Sequence, residues 1–227
     1  MRSIKLSLSS KSTTGWDAAV YLVQAYLIGE QKTDQLLDQL PENFTGERRA
    51  ACQSLFLGAL RHGHKTRAAL RKLLRKKSKS SVEAVLLVSG YEILDAEADR
   101  HPKIIHHAVE RSKQVVNRFD QGFLNAILRK LPVALKQIKA KKAPAAFYSH
   151  PEWLVAHWQE EFPRACTQLL EWNQGIPPTY LKVYNDEVQI PPGLEATQWP
   201  QFYQVTGKIS WKEDFHPLLN KGNAYIK

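Results

Sequence analysis

The chain is expected to be mainly α: an all-α helical bundle followed by a small α+β domain. Three observations predict this. Apolar residues recur at the helical period from Trp16 to about residue 142. One segment, Val82–Leu94, is apolar on nearly all sides, as a helix wrapped by others must be. After Pro144 the texture changes, and beyond Pro177-Pro178 it becomes the strict alternation of strands.

Residues 1–15 read as an N-terminal tail. Trp16–Ile28 carries apolar residues at 16, 19, 20, 22, 23, 26 and 27, the spacing of one helical face. Thr33–Leu40 is a short helix stopped by Pro41. Thr45 is a cap candidate for a helix reaching Arg61. The next helix is expected over His64–Lys77, with Ala69, Leu70, Leu73 and Leu74 inward. Ser81 is placed to cap Val82–Leu94, where Gly90 would admit a close neighbour. Pro102 fits the first turn of a helix ending near Val116. Phe119–Leu131 follows, and could continue past Pro132 toward Lys142. The domain boundary is placed in the Lys139–Pro144 linker, giving residues 16–142 and 148–227 as the two domains. In the second, Trp153, Leu154, His157, Trp158 and Phe162 predict an amphipathic helix, and Pro163–Trp172 another. Thr179–Asn185 alternates as a strand, and Gln201–Thr206 with Lys208–Lys212 look like a hairpin turned at Gly207.

Composition narrows the function. The 227 residues are 43% hydrophobic and 24% charged, globular values. Two distant cysteines, Cys52 and Cys166, form neither a disulfide framework nor a zinc site. With no signal-peptide core at the start and no apolar run fit to span a bilayer, a cytoplasmic protein is expected. The net charge of +10 is concentrated: Arg48 to Val82 holds eleven Lys/Arg and no acid, so the rest of the chain sums to −1. Gln121 to Pro151 holds six more without an acid. Charge gathered in this way makes a positive face that attracts polyanions.

The residues expected to meet RNA phosphates follow from that segment. Arg67, Arg71 and Arg75 are four apart and would line one helix face, with Lys72 and Lys76 beside them and Lys79 beyond. Arg61 and Lys65 extend the patch backward, with His62 and His64, and Arg48 and Arg49 open the preceding helix. The bland alternative is a solvated basic face with no partner. His106 and Glu110 have i,i+4 spacing, but without a His-Glu-x-x-His motif or a third ligand a metal is not expected. No nucleophile elbow and no Gly-rich phosphate loop exists, so no catalytic residue is assigned.

Two blocks of sequence resemble known families. The first is Glu83-Ala-Val-Leu-Leu-Val-Ser-Gly-Tyr-Glu-Ile-Leu94, then His101-Pro102, Ala108-Val-Glu110 and Gly122-Phe-Leu-Asn-Ala-Ile-Leu-Arg-Lys-Leu131. It is similar to the NusB family. The second is Ser149-His-Pro-Glu-Trp-Leu154, with Leu169-Leu-Glu-Trp-Asn173, Pro177-Pro178 and Leu181-Lys-Val-Tyr-Asn185. It resembles the segment after the NusB-like domain in the Sun/RsmB type of rRNA cytosine-5 methyltransferase. The resemblance implies an RNA-binding, substrate-positioning N-terminal region. Its rRNA would be methylated from S-adenosylmethionine by a catalytic domain bearing Pro-Cys and Thr-Cys motifs. Neither Cys52 nor Cys166 sits in such a motif. The sequence stops at Lys227, near where that domain begins in the family, and is read as part of a longer or a split protein. His106 and His107 stand where an Asn-Glu pair is expected, and Trp16-Asp17 where relatives often place an arginine. That departure moves expected binding toward Arg67, Arg71 and Arg75. The alternative is a stand-alone NusB-like factor in transcription antitermination, with protein partners as well as RNA.

Overall fold

Residues 13–29, 31–185, 189–207, 216–220, 222 and 224–226 are described by a computed structural model. Helix α1 spans Gly15–Ile28, α2 Thr33–Leu37, α3 Gly46–Arg61, α4 Gly63–Leu73 and α5 Ser80–Asp95. A 3-10 turn at Ala98–Arg100 leads into α6, His101–Ser112, and then α7, Arg118–Lys136. Three short helices follow: α8 Pro144–Phe147, α9 Glu152–Glu161 and α10 Cys166–Trp172. Strands β1 Tyr180–Val183, β2 Leu194–Ala196 and β3 Phe202–Val205 precede α11, His216–Asn220, and β4, Ala224–Ile226. The mainly α class is borne out.

The apolar helix α5 is the centre of the bundle. Ten of its residues are buried, and α1, α3, α4, α6 and α7 pack around it. Two glycines set how closely. A Cβ on Gly58 of α3 would lie 2.2 Å from the Tyr91 ring, and one on Gly90 would lie 2.5 Å from Thr66 of α4. The ring of His62 stacks on the Tyr91 ring, with 5.5 Å between centroids and 12° between planes. Gly90 therefore does admit a neighbour, the α4 helix.

Polar groups enter this core as a network around the start of α1. Thr14 and Asp17 cap the helix reciprocally: the Asp17 amide donates to Thr14 Oγ1 and Thr14 N donates to Asp17 Oδ2. Asp17 is buried and receives the Arg111 guanidinium of α6. Trp16 Nε1 donates to Glu92 Oε2 of α5 at 2.8 Å, and the edge of its ring meets His107. Asp17 thus has a structural task, capping α1 and pairing with Arg111.

Boundaries differ from expectation in instructive ways. Helix α4 stops at Leu73 rather than Lys77, because Leu74 is extended (φ −106°, ψ 130°). Helix α5 starts at Ser80, with Lys79 rather than Ser81 in the capping position and no side-chain cap. Helix α6 ends at Ser112, before Val116, and α10 starts at Cys166, after Pro163. Helix α7 does continue through Pro132, reaching Lys136. The chain divides into two compact units after Gln174, later than the expected linker at 139–144. The reason is a tether. Helix α8 packs on α4, and Ser149 Oγ accepts from the amides of His64 and Lys65 at 3.0 and 3.2 Å. Those amides open α4 and have no partner within it. Ser149 holds a left-handed backbone (φ 57°) to reach them. Val155, Cys166 and Leu170 then form a small core of their own, with Tyr148 and Trp158 against it.

The second unit is an antiparallel sheet of order β2-β3-β1-β4. Leu181 pairs with Tyr203 on one side and Ile226 on the other. Leu181, Val183, Leu218 and Ala224 form its core, so the alternation read in Thr179–Asn185 sets the buried face. The partner of β3 on its outer side is β2; the expected strand Lys208–Lys212 lies outside the described residues.

Two predictions follow from these contacts. Burial raises the Glu92 carboxyl to about 7, against a smaller downward pull from the Trp16 hydrogen bond. The folded state therefore holds this proton more tightly than the unfolded chain. Stability should be full below pH ~4.5, fall as pH rises to ~7, and level off above. Glu92→Gln keeps an acceptor for Trp16, should remove that slope, and should stabilise by about 1–3 kcal/mol above pH 7 in urea unfolding. Ser149→Ala should cost about 1–2 kcal/mol, as helix caps do, and should speed amide exchange at His64 and Lys65.

Candidate nucleic-acid interface

Cationic side chains gather where α4 ends. Arg71 and Lys72 occupy its last turn, where positive charge meets the unpaired carbonyls of the helix end favourably. The chain then turns back through residues 74–79 into α5, carrying Arg75, Lys76 and Lys77 with it. Continuing the helix would have stacked Arg71, Lys72, Arg75 and Lys76 at like-charge i,i+4 spacing. The turn instead sets Arg71, Arg75 and Lys76 around a concavity of about 700 Å³. Its apolar floor is Leu27, Leu70 and Leu74, its cations are Arg67, Arg71, Arg75, Lys76 and Lys77, and Ser78 and Ser80 supply hydroxyls.

The segment is free of acids in sequence but not in space. Glu83, one turn into α5, bonds Arg67 Nε at 2.7 Å and lines the same concavity. Arg67 is thereby committed to a carboxylate, whereas Arg71, Arg75, Lys76 and Lys77 have no ion pair among the described residues. Lys79 is also committed, to Asp120 of α7 at 2.9 Å. The straight ridge expected from Arg67, Arg71 and Arg75 is therefore corrected: Arg75 lies beyond the helix, and the three share a rim rather than a helix face.

The other expected residues are elsewhere. Lys72 is exposed but does not line the concavity. Arg48, at the start of α3, donates to the Asn43 carbonyl and lies over the Phe44 ring, and Arg49 is half-buried. Arg61 is half-buried at the end of α3. Lys65 sits over the Phe147 ring on the side of α8. His62, stacked on Tyr91, has its pKa lowered to about 4 by burial and by the charges of Arg61 and Lys65. It is neutral at physiological pH and adds no positive charge. His64 is likewise lowered, by burial and by Arg67 and Arg71. Leu27, Lys77, Ser78 and Ser80 were not singled out from sequence. Ser78 and Ser80 could have been, as hydroxyls interleaved with a lysine run.

The concavity can hold phosphate groups on its cations and an apolar edge on its floor. It does not fit S-adenosylmethionine, whose sulfonium would meet five cations and a carboxylate already bonded to Arg67. No catalytic step is assigned to it.

Comparison with known proteins agrees with this architecture. Ribosomal RNA small subunit methyltransferase B of Shigella boydii serotype 18 is 25% identical over 157 residues, 67% of this chain. The proteins of that name from Escherichia fergusonii and Escherichia coli O127:H6 are each 24% identical over the same length. The chain spans 36% of the length of these relatives. Residues 17–132, which run from the capped start of α1 to Pro132 in α7, match the NusB family over more than half of the sequence. The chain belongs to the NusB family.

Proposed function

We propose that this chain is the RNA-binding, substrate-positioning N-terminal region of an rRNA cytosine-5 methyltransferase. The observation that carries the reading is the concavity at the end of α4, where four cations without ion pairs among the described residues surround an apolar floor. A polyanion neutralises such a cluster and releases its own counterions, which drives binding without reading sequence. Phosphate contacts of this kind position an RNA rather than specify it. Structured rRNA suits them, since duplex RNA is recognised mainly by shape and backbone. The named relatives are ribosomal RNA methyltransferases, and their similarity runs over 157 residues, beyond the length of the NusB match. That favours this reading over a stand-alone antitermination factor. Methyl transfer from S-adenosylmethionine would belong to the remaining length of such an enzyme, and the protein would work in the cytoplasm where ribosomes are made.

A fluorescence-anisotropy titration with a small-subunit rRNA hairpin tests it. Replacing Arg71, Arg75 and Lys76 together by Ala should lower affinity at least ~10-fold near 0.1 M salt, and should flatten log K against log salt by about 2–3. Arg67→Ala should cost less, because Glu83 already holds that guanidinium. Unchanged affinity of the triple variant at low ionic strength would overturn the assignment.

A further inference from the structure

A second cavity lies at the opposite end of α4, enclosed by the end of α5, the end of α7 and helix α8. Its volume is about 390 Å³, the size range of small-ligand sites. Pro132, Leu135 and Phe147 give it an apolar wall; Lys65, Lys136 and Lys139 bring three ammonium groups to it. Glu97 is its one carboxylate, and no ion pair joins Glu97 to any of the three among the described residues. We propose that this cavity binds a single nucleotide, the base against the apolar wall and the phosphate on the lysines, as a subsite separate from the α4 concavity.

The geometry of Lys65 is the main support. Its Nζ lies 4.2 Å from the centre of the Phe147 ring, in a half-buried setting with no carboxylate partner among the described residues. An aromatic face offsets part of the cost of removing an ammonium from water, but it does not neutralise the charge. Burial accordingly lowers the Lys65 pKa. A phosphate entering the cavity would satisfy the charge, and two exposed lysines, Lys136 at the end of α7 and Lys139 on the turn after it, would complete a three-point contact. The partly exposed Pro132 and Phe147 favour a nucleotide over an inorganic anion, since phosphate alone would leave their apolar surface uncovered. The inference deepens the RNA-binding reading, as the nucleotide would be one that the bound rRNA turns out of its stack.

NMR of the chain labelled at lysine and phenylalanine tests it, with CMP, cytidine, inorganic phosphate and a single-stranded RNA hexanucleotide as probes. CMP should shift the Lys65 and Phe147 signals saturably, and cytidine and phosphate should each bind at least ~10-fold more weakly. The hexanucleotide should shift the same signals at lower concentration than CMP. Lys65→Met and Lys139→Gln should each weaken CMP at least ~5-fold; Lys139 is exposed, so its loss leaves the fold intact. The Arg71/Arg75/Lys76 triple variant should bind CMP as the parent does, which separates failure here from failure of the concavity. CMP binding unaffected in both lysine variants, phosphate binding as tightly as CMP, or a hexanucleotide that leaves Lys65 unmoved would each overturn the proposal.

Discussion

Close contact of α5 with its neighbours sets the positions of everything else in the first unit. The helix is apolar on almost every side, so it must be surrounded. Gly58 and Gly90 let α3 and α4 pack closely on it, with the Tyr91 ring and the Thr66 side chain filling the space a Cβ would take. That fixes which face of α4 is inward: Thr66, Ala69 and Leu70 are buried. Arg71 and Lys72 are left outward by the same rotation. The cationic surface is thus a consequence of core packing, since a helix pinned along one face has no freedom to turn its charges away from solvent.

Electrostatics then decides where that helix ends. The residues after Leu73 keep the helical spacing of their charges, yet the backbone leaves the helix at Leu74. Repulsion between neighbouring cations favours the turn, the Arg67–Glu83 pair ties the two flanking helices together, and Lys79–Asp120 holds the last residue of the turn. Between those pairs the chain holds Arg71, Arg75, Lys76 and Lys77 around the floor of Leu27, Leu70 and Leu74. Such an arrangement is held from its two edges and left unsatisfied in the middle, which is the state a binding surface requires.

What could be read from sequence was what local spacing encodes. The burial of Val82–Leu94, the close approach at Gly90, the Pro-started α6 and the buried Leu181 and Val183 all follow from period or from single residues with one physical use. The misses were contacts across the chain. Glu83 was the first acid after an acid-free run, and nothing in the spacing said it would fold back sixteen residues onto Arg67. Lys65 belonged to the basic segment in sequence, but the ring it sits over is supplied by α8, more than eighty residues later. The division after Gln174 was hidden for the same reason: the composition changes at Pro144, but the packing does not.

The tie between Ser149 and the first amides of α4 carries a lesson about synthesis. Those two donors wait for an acceptor 84 and 85 residues downstream. On a growing chain, the basic helix would emerge and dock on α5 with its leading turn still frayed, and would be finished only when the Ser-His-Pro segment arrived. A gene piece ending with the NusB match would encode the helix without its stopper, so the segment beyond that match is best regarded as part of the same folding unit.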